Sequence, residues 1–394
     1  MIRAKMGLPR ALWILLLGAF VNRFGSFVSF FLALYLVSKG YSATEAGLTV
    51  GAYGVGAVGA TSLGGILTDK IGRRKTVILS MFSSAVSVLL LSQAAILPVI
   101  VMLSIAAGAA SELYRPATNV LIADLVPPEK HVTTFALYRL AINLGVAIGP
   151  AIAGFLAARF FLLIFIGDAL TSMVFGFLML FALPPEKAGP KEQQQAVDDF
   201  WRYFRTDRSF LFFLLASVAT AFIYFQFLSS LSLQVKAFGF SSVIYGLLIS
   251  VNGTLIVFLE LPVSSITKKL PMQPVIACGM LLVGLGFGLT AFASNIYLLF
   301  LTTVTWTVGE MVHAPVSYAY VAALAPERLR GRYNGIWSLM WGIGQVLGPV
   351  LGALLFTWNP KSLWVLCGIL GITAALLVMS SRKRVTSLEP KPSS

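Results

Sequence analysis

Residues 65–75 read GILTDKIGRRK, one acid and four bases in eleven positions, set between two long apolar stretches. On its far side Thr76 to Ser111 carries no charge, and Leu270 to Glu310 none until its last residue. Of the 394 residues 58% are hydrophobic and 11% charged, where soluble domains carry about 25% charged residues. Roughly 20 apolar residues span a bilayer as a helix, so each uncharged stretch holds two spans joined by a turn. The strands of a membrane barrel alternate apolar with polar, and these runs do not. The chain is expected to be an all-α membrane protein with twelve spans, near 11–38, 43–67, 76–95, 97–124, 133–157, 161–183, 210–233, 243–266, 273–293, 296–323, 333–357 and 361–380.

A net charge of +14 raises the question of a nucleic-acid partner, and the placement of the bases answers it. With the N-terminus inside, only Lys39, Arg159, Lys236 and Lys361 of the 29 lysines and arginines fall in outer segments. Arg23, Arg115 and Arg139 lie within spans, and the others occupy inner segments. That asymmetry is the positive-inside rule. It predicts an inner-membrane protein with both termini cytoplasmic, with the bilayer and not a nucleic acid as its surroundings. The basic start followed by an apolar run reads as a first span and not a signal peptide, which would be shorter and end in small residues. Cys278 and Cys367 lie in spans without metal-ligand spacing, and they read as small buried residues. No cofactor or metal is expected.

The chain repeats itself. GYSATEAGL (Gly40–Leu48) returns as GFSSVIYGL (Gly239–Leu247). Glu112 followed by Pro128-Glu129 returns as Glu310 followed by Pro326-Glu327, and GVAIGPAIAG (Gly145–Gly154) returns as GQVLGPVLGA (Gly344–Ala353). Three landmarks in one order at a near-constant interval indicate a duplicated six-helix unit. Two pseudo-symmetric six-helix bundles are expected, over 1–183 and 210–394 with a short cytoplasmic tail. Between them lies a cytoplasmic linker, 184–209, in which Phe200, Trp201, Tyr203 and Phe204 interleave with Asp199, Arg202 and Arg205 as an amphipathic interfacial helix. Parallel duplication of this kind is the architecture of one large transporter fold.

With these residues in view, the chain resembles the major facilitator superfamily, and within it the bacterial twelve-span drug:proton antiporters. GILTDKIGRRK matches the signature Gly-x-Leu-x-Asp-[Arg/Lys]-x-Gly-[Arg/Lys]-[Arg/Lys] of that family's loop between spans 2 and 3. GVAIGPAIAG is similar to the span 5 signature Gly-x-x-x-Gly-Pro-x-x-Gly-Gly of exporters, with Ala153 in place of one glycine. The resemblance implies a substrate path between the halves, with alternating access. Gly65 and Gly72 would permit a tight turn and close helix approach. Asp69 would face the start of span 11 near Tyr333 to Ile336, Arg73 would pair with Asp124, and Arg74 would add to the inner charge. Together they form a gate latched on the inner side. The Gly-Pro elements, Gly145, Gly149, Pro150 and Gly154 with Gly344, Gly348 and Pro349, read as close-packing and kinking sites. Their part in export rests on the resemblance.

Charges inside a membrane are functional candidates by default, because each costs about 2.5–3.5 kcal/mol at a helix centre. Arg23 stands mid-span in VNRFGS, Glu112 and Arg115 lie three apart on one helix face, and Glu310 and His313 take the equivalent places in the second half. In the implied fold these groups face a central cavity. Glu112, beside Arg115 and near Arg23, is expected to stay ionised, which leaves Glu310 as the better proton carrier. Asp168 reads as a member of a stabilising pair or as a helix-end residue. Asn22, Tyr224, Gln226 and Asn252 are expected to line a substrate pocket. Ser104 stands where the family often carries an arginine, so either Arg115 or Arg23 substitutes for it or proton coupling works differently here.

The expected function is a secondary transporter, most simply proton-coupled export of amphipathic or hydrophobic small molecules by a monomer, with protons as the coupling ion. The alternatives are import or uniport of a polar or anionic solute, flipping of a lipid-like substrate, or a non-transporting sensor. No GxxxxGK[ST] loop is present for ATP drive, and no nucleophile constellation suggests an enzyme.

Overall fold

The computed structural model describes residues 8–182, 204, 206–326 and 329–380. The expected interfacial helix at 200–205 lies almost wholly outside them. The described residues are helical without a strand. In order they form α1 Arg10–Phe24, α2 Phe27–Ser38, α3 Ala43–Ile71, α4 Arg73–Gln93, α5 Leu97–Glu112, α6 Tyr114–Leu125, α7 His131–Arg159 and α8 Leu162–Ala182. After the linker come α9 Arg208–Tyr224, α10 Ser230–Ala237, α11 Ser242–Thr267, α12 Met272–Leu289, α13 Ile296–Leu324, α14 Arg330–Trp358 and α15 Pro360–Met379.

Among the described residues ten helical stretches are long and apolar enough to cross a membrane. They become eleven when Ala43–Thr61 and Leu63–Ile71, bent by 43°, count as one span. Twelve were expected. The long helix outside this set is α13, whose length suffices but whose apolar run is diluted by Thr302, Thr303, Thr305, Thr307, Glu310 and His313.

Besides this bend, three other expected spans are interrupted. The first splits at Gly25 and Ser26, between α1 and α2. The fourth splits at Leu113, because Pro116 has no N–H to give the Glu112 carbonyl and its ring crowds that oxygen. The seventh narrows to a 3₁₀ turn over Phe225–Leu228 and resumes at Ser230. The motif that opened the sequence is helical rather than a loop. α3 runs to Ile71, Gly72 turns the chain at φ +91°, and α4 starts at Arg73. That left-handed φ requires glycine. Gly65 lies inside α3, and a Cβ added there would meet nothing within 4 Å.

Contacts divide the chain into two units. The first joins the helices α1–α8 with Leu231–Thr254, and the second takes α9, the 3₁₀ turn and the chain after Leu255. In the first unit Leu12, Leu15, Val77, Met81, Tyr114, Leu121, Phe175 and Met179 form a buried cluster. The segment Leu231–Thr254 is tied in by polar contacts. The Tyr245 hydroxyl donates to the Phe30 carbonyl at 3.0 Å, and the Ser242 hydroxyl donates to the Gly154 carbonyl at 3.0 Å. Next to Pro150, inside α7, the Ala151 N–H donates to Ser250 Oγ at 2.9 Å. In the second unit Phe210, Phe213, Met280, Tyr320, Trp337 and Val378 belong to one core cluster. Cys367 is buried there as expected, whereas Cys278 is exposed.

Candidate functional site

In the first unit the site begins at the break between α1 and α2. Asp168 of α8, itself buried, accepts the Val28 N–H at 2.9 Å and also the Phe27 N–H. Its partner is thus the start of a half-helix, whose first N–H groups have no intrahelical acceptor, and not a cation. Asn22 donates to Ser172 Oγ at 3.3 Å and accepts from the Ser26 hydroxyl on its carbonyl at 3.0 Å. The last turn of α1 is held from the other side by α7. A Cβ on Gly145 would lie 2.7 Å from the Phe24 nitrogen and 3.0 Å from Arg23 Cβ, and one on Gly149 would overlap the Phe24 carbonyl. The first Gly-Pro element therefore sets where Arg23 stands.

Arg23 Nη1 lies 3.8 Å from Glu112 Oε1, and the Arg115 guanidinium pairs with Glu112 Oε2. The carboxylate thus has a base on each side, and its side chain keeps 16% of its exposure. Beside it the Tyr53 and Ser111 hydroxyls are 2.7 Å apart. At the start of α4, Arg73 pairs with Asp124 at the end of α6, as the family resemblance implied. Arg74 instead turns to α8 and donates to the carbonyls of Met179, at 3.1 Å, and Leu180. Asp69 is exposed and makes no hydrogen bond or ion pair within its unit among the described residues.

The second unit repeats this plan with other chemistry. The second Gly-Pro element on α14 faces the break after α9: Gly344 packs on Ala221, and a Cβ on Gly348 would lie 3.1 Å from Phe225 Cβ. Pro349 is buried beside it. Where the first unit has Arg23 against Glu112, the second has the Tyr224 hydroxyl donating to Glu310 Oε1 at 3.2 Å. The Tyr224 ring is walled by Phe225, Phe227, Trp306 and Trp341, with centroids 5.0–6.0 Å away. Glu310 is half-buried at this aromatic wall.

His313 does not join Glu310. It is 1% exposed, stacks nearly parallel on Trp341 with centroids 6.2 Å apart, and neither ring nitrogen has a hydrogen-bond partner. Gln226 is fully buried, its amide donating to the carbonyls of Phe222 at 3.0 Å and Gly348 at 2.9 Å and its oxygen accepting from Ser230. Asn22 and Asn252 are buried as well, at 7% and 5% exposure. Of the four expected pocket residues only Tyr224 keeps a half-open side chain at an ionisable group. Trp306 and Trp341 were missed, although a tryptophan deep in a span is itself a signal, since its N–H needs a partner there.

These features define a polytopic helical membrane protein that carries ionisable groups at the breaks of its spans. The chain belongs to the Major Facilitator Superfamily, whose family model matches residues 15–274 and again 232–394. It is 25% identical over 377 residues to a Na(+), Li(+), K(+)/H(+) antiporter of Planococcus maritimus, covering 86% of this chain and 87% of that one. It is 23% identical to the multidrug resistance protein MdtH of Aeromonas salmonicida, over 92% of this chain and 94% of the relative. Among solved structures the nucleoside transporter NupG superposes with a TM-score of 0.81 at 16% identity, covering 95% of this chain and all of that one. At such identity the likeness establishes the fold and not the cargo.

Proposed function

We propose that this transporter exports amphipathic or hydrophobic small molecules in exchange for protons, by alternating access, from a twelve-span arrangement in the inner membrane with both termini cytoplasmic. The observation that carries the reading is the contrast between the two glutamates. Glu112 is flanked by two guanidiniums, those of Arg23 and Arg115. Glu310 accepts from the Tyr224 hydroxyl, whose ring is walled by Trp306 and Trp341, and it serves as the proton carrier in this scheme. The same rings suit an apolar or aromatic cargo. Cation/proton antiport and multidrug resistance among the relatives are consistent with this division of labour. Asp69, Gly72, Arg73, Arg74 and Asp124 serve as the inner gate in this scheme.

One observation favours a second reading. Two arginines share one glutamate, and Arg115 keeps 43% of its exposure, so the first unit could attract an anionic solute. A thermal-shift panel of purified protein separates the two, using a lipophilic cation, neutral apolar compounds and organic anions. Stabilisation by cations or neutral compounds, with proton release into weakly buffered solution on binding, is expected. Stabilisation by anions alone would overturn the export reading.

A further inference from the structure

We propose that a crevice between the start of α1 and the end of α8 binds one anionic phospholipid of the leaflet beside the basic segments. The crevice is open, has a volume of about 370 Å³ and is lined by Arg10, Ile14, Val174, Phe177, Leu178 and Phe181. Five of its six lining side chains are apolar and none is acidic. Phe177 and Phe181 stack with centroids 6.3 Å apart at 10°, and Phe181 is 81% exposed. They form a flat wall of the kind an acyl chain lies against. The single charged group, Arg10, stands where α1 begins, is exposed, and makes no ion pair among the described residues. No side chain caps that helix start, so its N–H groups and dipole favour an anion at the same place.

Arg74 brings a second guanidinium to this end of α8, spread over the Met179 and Leu180 carbonyls. Arg10 in the crevice, with Arg74 at the same end of α8 and no acid among the lining residues, complements a phosphodiester at the mouth, and the apolar walls take part of the chain below it. Basic pockets between spans hold anionic headgroups in this way. The inference needs the chain to sit in a membrane with its basic segments at one surface. It does not need the transport assignment, because it is scored without any substrate.

The test uses the full chain purified in a neutral detergent. It is titrated with dioleoylphosphatidylglycerol, with dioleoylphosphatidylcholine, and with inorganic phosphate. Retained lipid is counted by native mass spectrometry and the melting temperature is followed. Phosphatidylglycerol is expected to be retained in preference to phosphatidylcholine and to raise the melting temperature. Arg10→Gln should weaken that retention about fivefold, the effect of one surface base on an acidic lipid, and Arg10→Lys should restore most of it. Phe177→Trp, which fills the crevice while keeping the charge, should lower retention of both lipids. Equal retention of the two lipids, undiminished phosphatidylglycerol binding by Arg10→Gln, or phosphate alone matching the lipid's stabilisation would each overturn the proposal.

Discussion

At the scale of single residues, Glu112 pairs with Arg23 and Arg115, and Glu310, at the matching place in the sequence, accepts from Tyr224. Removing the charge at Glu112 leaves Arg23 and Arg115 without their counter-ion inside a span. Glu112→Gln should therefore lower the stability of the purified protein by about 1.5–3 kcal/mol, the worth of hydrogen bonds to charged groups, read by thermal unfolding in detergent. Glu310→Gln should melt near the wild-type temperature, because the amide oxygen still accepts from Tyr224, while proton release on substrate binding disappears. If the two variants exchanged these phenotypes, the assigned roles would be reversed. The glutamates and Arg115 could be found in the sequence, since three-residue spacing on a helix fixes a shared face. His313 could not be followed to Trp341, because that stacking joins residues on different helices and no local pattern encodes it.

At the scale of elements, the breaks in the first and seventh spans matter more than the helices around them. Asp168 ends one of these breaks by supplying an acceptor to α2. Asp168→Ala should cost about 1–2 kcal/mol, as loss of an N-terminal cap does, with faster hydrogen exchange at Phe27 and Val28. Asp168→Asn should recover much of it, because a carbonyl oxygen still accepts. Equal damage from both would point to lost charge, not lost capping. The glycines give a sharper contrast. Gly145→Ala would press on the backbone of Phe24 and on Arg23, and both stability and flux should fall. Gly65→Ala, in open space within a helix, should be neutral or stabilising by up to about 1 kcal/mol. The motif pattern made these two glycines look alike; only the neighbouring helix separates them. The sequence likewise showed the Gly-Pro elements as packing sites without revealing that each faces the break of another span.

At the scale of the whole molecule, duplication and charge asymmetry were legible because both are long-range regularities of the chain itself. The sorting of Leu231–Thr254 with the first unit was not, since it depends on Tyr245, Ser242 and Ser250 reaching helices more than 80 residues away in sequence. Orientation is open to a direct check. In a background of Cys278→Ala and Cys367→Ala, Lys361→Cys should react with a membrane-impermeant maleimide on intact cells, and Lys268→Cys only after lysis. The opposite pattern would invert the topology.

The central claim, that an outward cargo flow is driven by an inward proton flow through Glu310, is tested most directly in proteoliposomes. A compound identified by thermal shift is followed across an imposed pH gradient, for the wild-type chain and for Glu310→Gln. The account predicts that the wild-type protein concentrates the compound in the more acidic compartment, and that Glu310→Gln only equilibrates it. Accumulation that ignores the gradient, or that persists unchanged in Glu310→Gln, would contradict it.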